Sequence, residues 1–281
     1  MIPGGRGLSN LSDEKFFKNR LSAFWCCLCF AFLLTGCAAL GEYNPATGRQ
    51  EFIIIPTDAE VAMGKKIHEQ IATTSGVIER GKESERIRVI GARLARISDQ
   101  QDYAYRFYLI NQKDINAFTT PGGNVYFFKG LLGKLSTDDQ VAAVLAHEIG
   151  HCAARHTVKK FQASLGYSLI GSLVFSQLKM GEETKAMTRM ASNTAVQLAM
   201  SAYSRQDEYE ADRLGVKYMS LAGYNLNGMI ETLQILKRES QGKEPLLILS
   251  THPYLDDRIR AVKKEISQVL SKDQPLSKVG N

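Results

Sequence analysis

The sequence predicts a mostly helical α+β fold with a small β-sheet or hairpin. Apolar residues recur at helical spacing through most of the chain after residue 56, which favours amphipathic helices. Residues 105–128 are instead rich in aromatic and β-branched side chains, which are typical of strands. The chain of 281 residues contains no internal repeat and is long enough to bury a substantial core. We therefore expect one domain behind a short N-terminal segment.

Local signals predict the boundaries of the elements. Thr57–Glu60 has the pattern of a capping box, Thr120–Gly123 indicates a turn between two strands, and Gly223 is expected to end a helix. The predicted helices cover about residues 57–73, 84–98, 136–160, 226–240 and 255–271, and a helical region with few breaks fills residues 161–222. The predicted strands cover residues 105–110, 115–119 and 124–128, of which the last two form a hairpin.

Composition excludes several classes of protein. Hydrophobic residues make up 44% of the chain and charged residues 23%, which argues against a disordered, collagen-like or many-spanning membrane protein. The net charge of +6 would suit a nucleic-acid binder, but it is small for this length. Because the chain also lacks a basic-aromatic nucleic-acid motif, we expect no nucleic-acid partner.

The N-terminus has the layout of an export signal. Lys15, Lys18 and Arg20 precede an uncharged, largely apolar run over residues 21–34, and small residues follow. A basic region, a short apolar region and a small-residue cleavage site are typical of secretory signals. The alternative is an uncleaved transmembrane helix over residues 21–41, because that stretch is also uncharged and long enough to span a bilayer.

Leu34–Cys37 reads Leu-Thr-Gly-Cys, which resembles the lipobox of bacterial lipoproteins. The resemblance implies that residues 1–36 are a cleaved signal peptide and that Cys37 carries the lipid. Several acyl chains anchor a protein stably, whereas one chain does so only marginally. Ala38 after the cysteine implies transfer to the outer membrane, facing the periplasm. Residues 37–56 would then be a lipidated N-terminus with a linker, and residues 57–281 the functional domain.

The strongest chemical signal is the segment His147-Glu148-Ile149-Gly150-His151, an H-E-x-x-H motif in a predicted helix. Positions i and i+4 are neighbours on one helical face, so both imidazoles can reach one ion. Glu148 can then take a proton from a water bound to that ion. The motif predicts one zinc ion per chain. The alternative is a surface helix with two solvated histidines.

Two histidines leave a catalytic zinc short of one protein ligand. The best candidates are Glu208 and Asp212, which lie at i and i+4 of a predicted helix, with Glu210 pointing about 160° away from Asp212. One carboxylate can bind zinc, and the other can accept the outer N–H of a ligating histidine. Spacing alone does not say which does which. The alternative is a solvated acidic helix whose carboxylates pair with Arg205 and Arg213.

The two motifs together resemble a known family. H-E-x-x-H followed about sixty residues later by S-R-x-x-E-x-E-A-D-x-x-G is similar to the zinc metallopeptidases that include HtpX and the CAAX prenyl proteases. The resemblance covers about residues 57–268 and implies a zincin-like metallopeptidase fold. The chain is more similar to the small exported lipoprotein members than to the multi-spanning ones.

The resemblance also implies roles for individual residues. Glu208 would be the third zinc ligand, and Asp212 the carboxylate behind a ligating histidine. His252 would stabilise the oxyanion or occupy the open zinc position at rest, although it could also be a loop histidine before proline. Arg258 would steady the charge of the intermediate or cap structure. A strand at the edge of the cleft would align substrate through main-chain hydrogen bonds, and it consists of Asn116, Ala117, Phe118 and Thr119.

These roles predict an endopeptidase that acts on unfolded or misfolded proteins. The resemblance implies quality control of cell-envelope proteins in the bacterial periplasm, with contact to the outer-membrane assembly machinery. The competing hypothesis is a chaperone or assembly factor that holds its clients in the same cleft and does not depend on proteolysis.

Three further residues are predicted to lie outside the metal site. His156 is five residues past His151, about 140° round the helix, so it cannot share the ion. His68 has no partner at ligand spacing and is expected to be exposed or satisfied locally. Cys152 lies on the apolar side of its helix, and we expect a buried thiol that neither binds metal nor acts as a nucleophile.

Overall fold

The structure is a computed structural model that describes residues 41–177, 195–242 and 245–272, and side chains in all of these except residues 167–177. The predicted export signal and the predicted lipid site Cys37 lie outside the described residues. The described residues fall into two units, one with residues 41–43 and 50–52 and the other with the rest. No helix in the described part is long and apolar enough to span a bilayer.

The described residues confirm a mostly helical α+β fold. The helices are α1 Thr57–Thr74, α2 Lys82–Ala95, α3 Lys129–Leu132, α4 Asp138–Ala153, α5 His156–Gln177, α6 Arg205–Leu221, α7 Asn227–Glu239, α8 Leu247–Thr251 and α9 Leu255–Lys272. The strands are β1 Glu42–Asn44, β2 Arg49–Glu51, β3 Val77–Ile78, β4 Arg106–Ile110, β5 Ala117–Thr120 and β6 Asn124–Phe128. Residues 195–199 are also helical.

The larger sheet has four strands in the order β3-β4-β6-β5. Strands β5 and β6 form the predicted antiparallel hairpin, in which Phe118 is paired with Tyr126. Strand β6 also pairs in parallel with β4, a contact between strands that are not neighbours in the chain. Strand β5 therefore lies at an edge of the sheet, and its four side chains are all buried.

Helix α4 is the centre of the core. Every residue from Gln140 to Ala153 is buried, and the helix packs against α2, α6 and α7 and against strand β5. A helix that is apolar nearly all round is stable only when neighbours cover it on all sides. Its N-cap is Thr137, whose side chain accepts a hydrogen bond from the backbone N–H of Gln140. The core thus surrounds the segment that carries the H-E-x-x-H motif.

The predicted continuous helix over residues 136–160 is wrong. Helix α4 ends at Ala153, and α5 begins at His156. Between them Arg155 has a φ of 55°, a left-handed conformation that residues with a side chain rarely adopt. Its guanidinium is buried, forms an ion pair with Glu60 of α1 and donates a hydrogen bond to the carbonyl of Ile55. These long-range contacts hold the break.

One other predicted boundary signal needs correction. Glu60 does not complete a capping box, because it is fully buried and also accepts a hydrogen bond from Tyr103. One of the breaks expected within residues 161–222 lies before Ser204, where the Tyr203 N–H donates a hydrogen bond to the carbonyl of Thr251. Ser204 then caps α6 through a reciprocal pair with Asp207. Gly223, at a φ of 73°, follows the end of α6 as predicted.

Candidate functional site

The donor atoms of four side chains converge beside α4. They belong to His147, His151, Glu208 and His252, and all lie within 4.8 Å of one another. The two motif histidines present their Nε2 atoms to each other at 3.1 Å. Oε1 of Glu208 lies 3.4 Å from Nε2 of His151, and Oε2 lies 3.6 Å from Nε2 of His147. Such closely packed donors are typical of a metal site.

Helix packing brings these donors together. Helix α4 supplies both motif histidines, α6 supplies Glu208, and the residue after α8 is His252. Two glycines allow α4 and α6 to approach closely. A Cβ on Gly150 would lie 2.8 Å from the carbonyl oxygen of Ala211, and a Cβ on Gly215 would lie 3.2 Å from the backbone nitrogen of His147. Larger residues at either position would push the third donor away from the first two.

His252 lies inside the donor set. Its Nδ1 is 3.0 Å from Oε1 of Glu208 and 3.3 Å from Nε2 of His147, and its Nε2 is 3.5 Å from Oε1 of Glu148. Burial would lower its pKa, but the neighbouring carboxylates of Glu208 and Glu148 raise it above its ordinary value. His252 is 2% exposed, so it is a buried histidine at the end of α8 and before Pro253.

Asp212 and Arg258 lie behind His147. Oδ1 of Asp212 is 2.8 Å from Nδ1 of His147, the ring atom that faces away from the donor set. Arg258 donates to both oxygens of Asp212, at 2.8 and 2.7 Å, and its Nη1 lies 2.5 Å from Oε2 of Glu208. Burial would raise the pKa values of both carboxyls, but the Arg258 charge outweighs it and lowers them. Both therefore stay ionised.

Glu148 is almost completely buried next to the four donors. Burial raises the pKa of its carboxyl, although the His252 and His147 rings oppose the change. Its Oε2 and the Nε2 of His252 have no hydrogen-bond partner among the described residues. Buried polar atoms are normally paired. Two orphaned atoms beside two imidazoles and a carboxylate fit a metal ion with a coordinated water.

A small cavity of about 30 Å³ adjoins the donors and has room for roughly one water molecule. Its polar wall is formed by His147, Glu148, His252 and Arg258. Its apolar wall comes from α4, α7 and α8, through Ala143, Val144, Met229, Leu233, Leu236 and Ile248. A polar wall beside an apolar one is the usual composition of a small-molecule or side-chain pocket.

Sequence reasoning missed His156. Its Nδ1 lies 2.9 Å from Nδ1 of His151, and its Nε2 lies 3.1 Å from Oε2 of Glu210. The prediction that it points away from the site assumed a continuous helix, and the break at Arg155 removes that assumption. Tyr203 was also missed; its ring stacks on His151 with the centroids 3.7 Å apart. No local signal in the sequence indicates either contact.

The predicted edge segment lies against α4. Thr119 of β5 places its hydroxyl 2.7 Å from the sulfur of Cys152, while the side-chain amide of Asn116 is buried without a hydrogen-bond partner among the described residues. Burial raises the pKa of the Cys152 thiol to about 12, as expected for an inert core cysteine. His68 stacks on Tyr108, with the ring centroids 4.1 Å apart, and it is not among the four converging donors.

The comparison with family models decides the family. Residues 81–266, which include all four donors, match peptidase family M48. The chain belongs to peptidase family M48. The predicted resemblance to the zinc metallopeptidases that include HtpX is therefore confirmed. M48 peptidases are zinc metalloenzymes, and the donors found here fit that metal.

Curated relatives include longer M48 peptidases. The β-barrel assembly-enhancing protease of Yersinia pestis is 28% identical over 231 residues, which are 80% of this chain and 47% of that protein. The Escherichia coli K12 protein of the same name is 28% identical over 215 residues, 75% of this chain and 44% of that protein. The mitochondrial metalloendopeptidase OMA1 of Schizosaccharomyces pombe is 29% identical over 230 residues, 79% and 66% respectively. The chain thus spans about half the length of its bacterial relatives.

Proposed function

We propose that the chain is a zinc-dependent endopeptidase that hydrolyses misfolded or unassembled proteins of the bacterial cell envelope. The observation that carries the proposal is the convergence of His147, His151 and Glu208 beside the buried carboxyl of Glu148. Three protein ligands with an adjacent general base are the minimum for a catalytic zinc peptidase. Membership of family M48 supports the same activity.

In this proposal His147, His151 and Glu208 hold the zinc ion. When bound, zinc lowers the pKa of a coordinated water and polarises the scissile carbonyl. Glu148 takes a proton from the attacking water at its unpartnered Oε2 and later delivers it to the leaving amine.

Arg258 and His252 receive different roles. Arg258 is buried and forms ion pairs with the carboxylates of Glu208 and Asp212. We therefore propose that it positions these two carboxylates rather than stabilising the charge of the intermediate. Asp212 accepts the Nδ1–H of His147 and so fixes the tautomer that leaves Nε2 free for the metal. His252 occupies the fourth donor position in the resting protein and must move aside for substrate.

The substrate would be recognised mainly through its backbone. Strand β5 lies at the sheet edge beside α4, so an extended segment of an unfolded chain can pair with it over Ala117–Thr119. The orphaned amide of Asn116 is a candidate partner for one peptide group of that segment. Main-chain pairing reads little side-chain identity, which suits a peptidase that removes many different misfolded proteins.

The proposed location follows from the N-terminal sequence. Residues 1–36 would direct export, Cys37 would carry the lipid, and residues 57–281 would form the peptidase domain behind a linker. Two bacterial relatives are named for enhancing β-barrel assembly. We therefore propose unassembled outer-membrane proteins as substrates and the outer-membrane assembly machinery as a partner, with anchoring to the outer membrane.

A chaperone or assembly role is the second candidate, because the same relatives are named for assembly as well as for proteolysis. Such a role would need the cleft but not the proton transfer by Glu148. The two functions can therefore be separated at that residue.

The test compares purified wild-type protein with Glu148→Gln, and uses Glu85→Gln on the exposed face of α2 as the matched control. We expect Glu148→Gln to lose casein cleavage by a factor of about 10² to 10⁴ while retaining zinc, since a general base contributes about that much. Glu85→Gln should cleave normally. If Glu148→Gln cleaves as fast as wild type, the endopeptidase mechanism is wrong. If envelope function survives without cleavage, the chaperone role is correct.

A further inference from the structure

We propose that His156 is a positioning residue that links His151 to the carboxylate of Glu210 and thereby strengthens the metal site. The inference deepens the proposed function and rests on it, because it takes His151 to be a zinc ligand. It assigns a role to two residues, His156 and Glu210, that the H-E-x-x-H and E-x-x-x-D patterns leave without one. His156 touches no reacting atom in this account and acts only through His151.

The geometry assigns the proton positions in the hydrogen-bond series from His151 through His156 to Glu210. Nε2 of His151 faces His147 and Glu208, so metal binding needs its lone pair there and places the proton on Nδ1. That N–H then donates to Nδ1 of His156, 2.9 Å away. His156 must carry its own proton on Nε2, which lies 3.1 Å from Oε2 of Glu210.

Glu210 is the final acceptor in this series of hydrogen bonds. Its carboxylate also pairs with the guanidinium of Arg49, 3.0 Å away, so donors from two sides hold it in place. A negative charge at the far end makes Nδ1 of His156 a better acceptor and Nε2 of His151 a better ligand. His151 and His156 are both buried, so water does not compete for these contacts.

The break between α4 and α5 brings His156 into contact with His151. On a continuous helix His156 would point about 140° away from His151. Arg155 in its left-handed conformation turns the chain, and the ion pair with Glu60 holds that turn. The two motif histidines are therefore supported differently: His147 reaches the carboxylate of Asp212 directly, whereas His151 reaches that of Glu210 through His156.

The test uses the different reach of two amides at position 156. In His156→Asn, the amide oxygen can occupy the place of Nδ1 and accept from His151, although the link to Glu210 is lost. In His156→Gln, the amide reaches the place of Nε2 and Glu210, but a methylene faces His151. Glutamine is closer to histidine in volume than asparagine is. If His156 contributed only by packing, the Gln variant would therefore bind zinc more tightly than the Asn variant.

Zinc dissociation constants of the full chain, measured against a competing chromophoric chelator, give the readout. Because partners behind a metal ligand typically contribute 10- to 100-fold in affinity, we expect His156→Gln and His156→Leu to bind zinc about 10- to 100-fold more weakly. We expect His156→Asn to stay much closer to wild type. Glu210→Leu should weaken binding and Glu210→Gln less so, because a carbonyl still accepts from His156. The control Glu85→Gln should match wild type.

The outcomes separate this inference from the proposed function. Two results would show that the positioning role of His156 is wrong. In the first, the Asn, Gln and Leu variants bind zinc as tightly as a zinc-binding wild type. In the second, His156→Gln binds zinc more tightly than His156→Asn. If wild type itself does not bind zinc, the proposed function fails, and this inference fails with it. Urea unfolding of each metal-free variant identifies any variant that has lost its fold, and the Asn and Gln pair remains decisive if His156→Leu does so.

Discussion

The Nδ1 atom of His252 lies 3.0 Å from Oε1 of Glu208, so this histidine belongs to the group of four side chains that could hold a metal ion. A resting site with four protein donors has no open position for substrate. The oxyanion alternative would instead place His252 beyond the donors, pointing at the reacting carbonyl.

His252→Ala distinguishes these two roles. If His252 occupies the fourth position, its removal should weaken zinc binding by about tenfold, yet casein cleavage at saturating zinc should be at least as fast as in wild type. If His252 instead stabilises the oxyanion, turnover at saturating zinc should fall by a factor of about 10² or more. Zinc titration followed by a cleavage assay on the same samples measures both quantities.

Gly150 gives a prediction about packing at the site. In Gly150→Ala the new methyl would meet the Ala211 carbonyl at 2.8 Å, and overpacking of this kind costs about 1–3 kcal/mol. Alanine has a higher helix propensity than glycine, which offsets about 1 kcal/mol, so we expect a net loss of up to about 2 kcal/mol in the free energy of unfolding. Zinc affinity should fall too, because α6 carries Glu208.

Gly166→Ala is the matched control for Gly150→Ala. Gly166 lies in α5, and a Cβ there would meet no atom of the described residues within 4 Å. That substitution should therefore stabilise the protein by up to about 1 kcal/mol. Urea unfolding of both variants checks the pair, and stabilisation by both would show that α4 and α6 are not held in close contact.

The ion pair of Glu60 and Arg155 is expected to be essential for stability. Arg155→Met leaves the Glu60 carboxylate buried without its cation, and breaking a buried pair typically costs about 3–5 kcal/mol. The double variant Glu60→Gln with Arg155→Met should lose less free energy of unfolding than the two single variants lose in sum, because the double variant buries no uncompensated charge. Urea unfolding of metal-free protein measures these losses. Strict additivity would contradict the ion pair.

Lys160 should make stability depend on pH. Its Nζ lies 3.5 Å from the ring centre of Tyr203 and donates to the carbonyl of Ser201, and burial lowers its pKa from 10.5 to about 8. Between pH 8 and 10.5 the unfolded chain binds more protons than the folded one at this residue, so stability rises with pH there. Below pH 8 the charged form costs at most about 3 kcal/mol.

Lys160→Met removes this pH dependence. We expect the variant to gain stability over wild type at pH 7, and the difference to shrink as the pH approaches 10. The exposed Lys66 provides the control, since Lys66→Met should show a constant difference from wild type. Chemical unfolding at several pH values measures the trend, and a difference that does not change with pH would contradict the lowered pKa.

The parts of the fold that depend on local sequence could be predicted. The H-E-x-x-H helix, the hairpin at Thr120–Gly123 and the end of α6 at Gly223 each follow from residues within one or two turns. Spacing along a helix likewise indicated that Glu208 and Asp212 share a face. Which of them meets the metal donors and which lies behind His147 depends on how α6 packs against α4, and the structure places Glu208 among the donors.

The parts that depend on distant residues could not be predicted. The break at Arg155 carries no glycine or proline signal, because its cause is Glu60, which lies 95 residues earlier in the sequence. The same contact explains why Glu60 does not act as a helix cap. Since the position of His156 depends on that break, one long-range ion pair accounts for both the wrong helix boundary and the missed contact with His151.

The central claim is that His147, His151 and Glu208 hold one zinc ion, and the zinc content of Glu208→Ala tests it most directly. Wild type and the surface control Glu85→Gln, each purified with zinc in excess, should carry one zinc per chain by mass spectrometry of metals. Glu208→Ala should carry almost none. A full complement of zinc in Glu208→Ala would contradict the account.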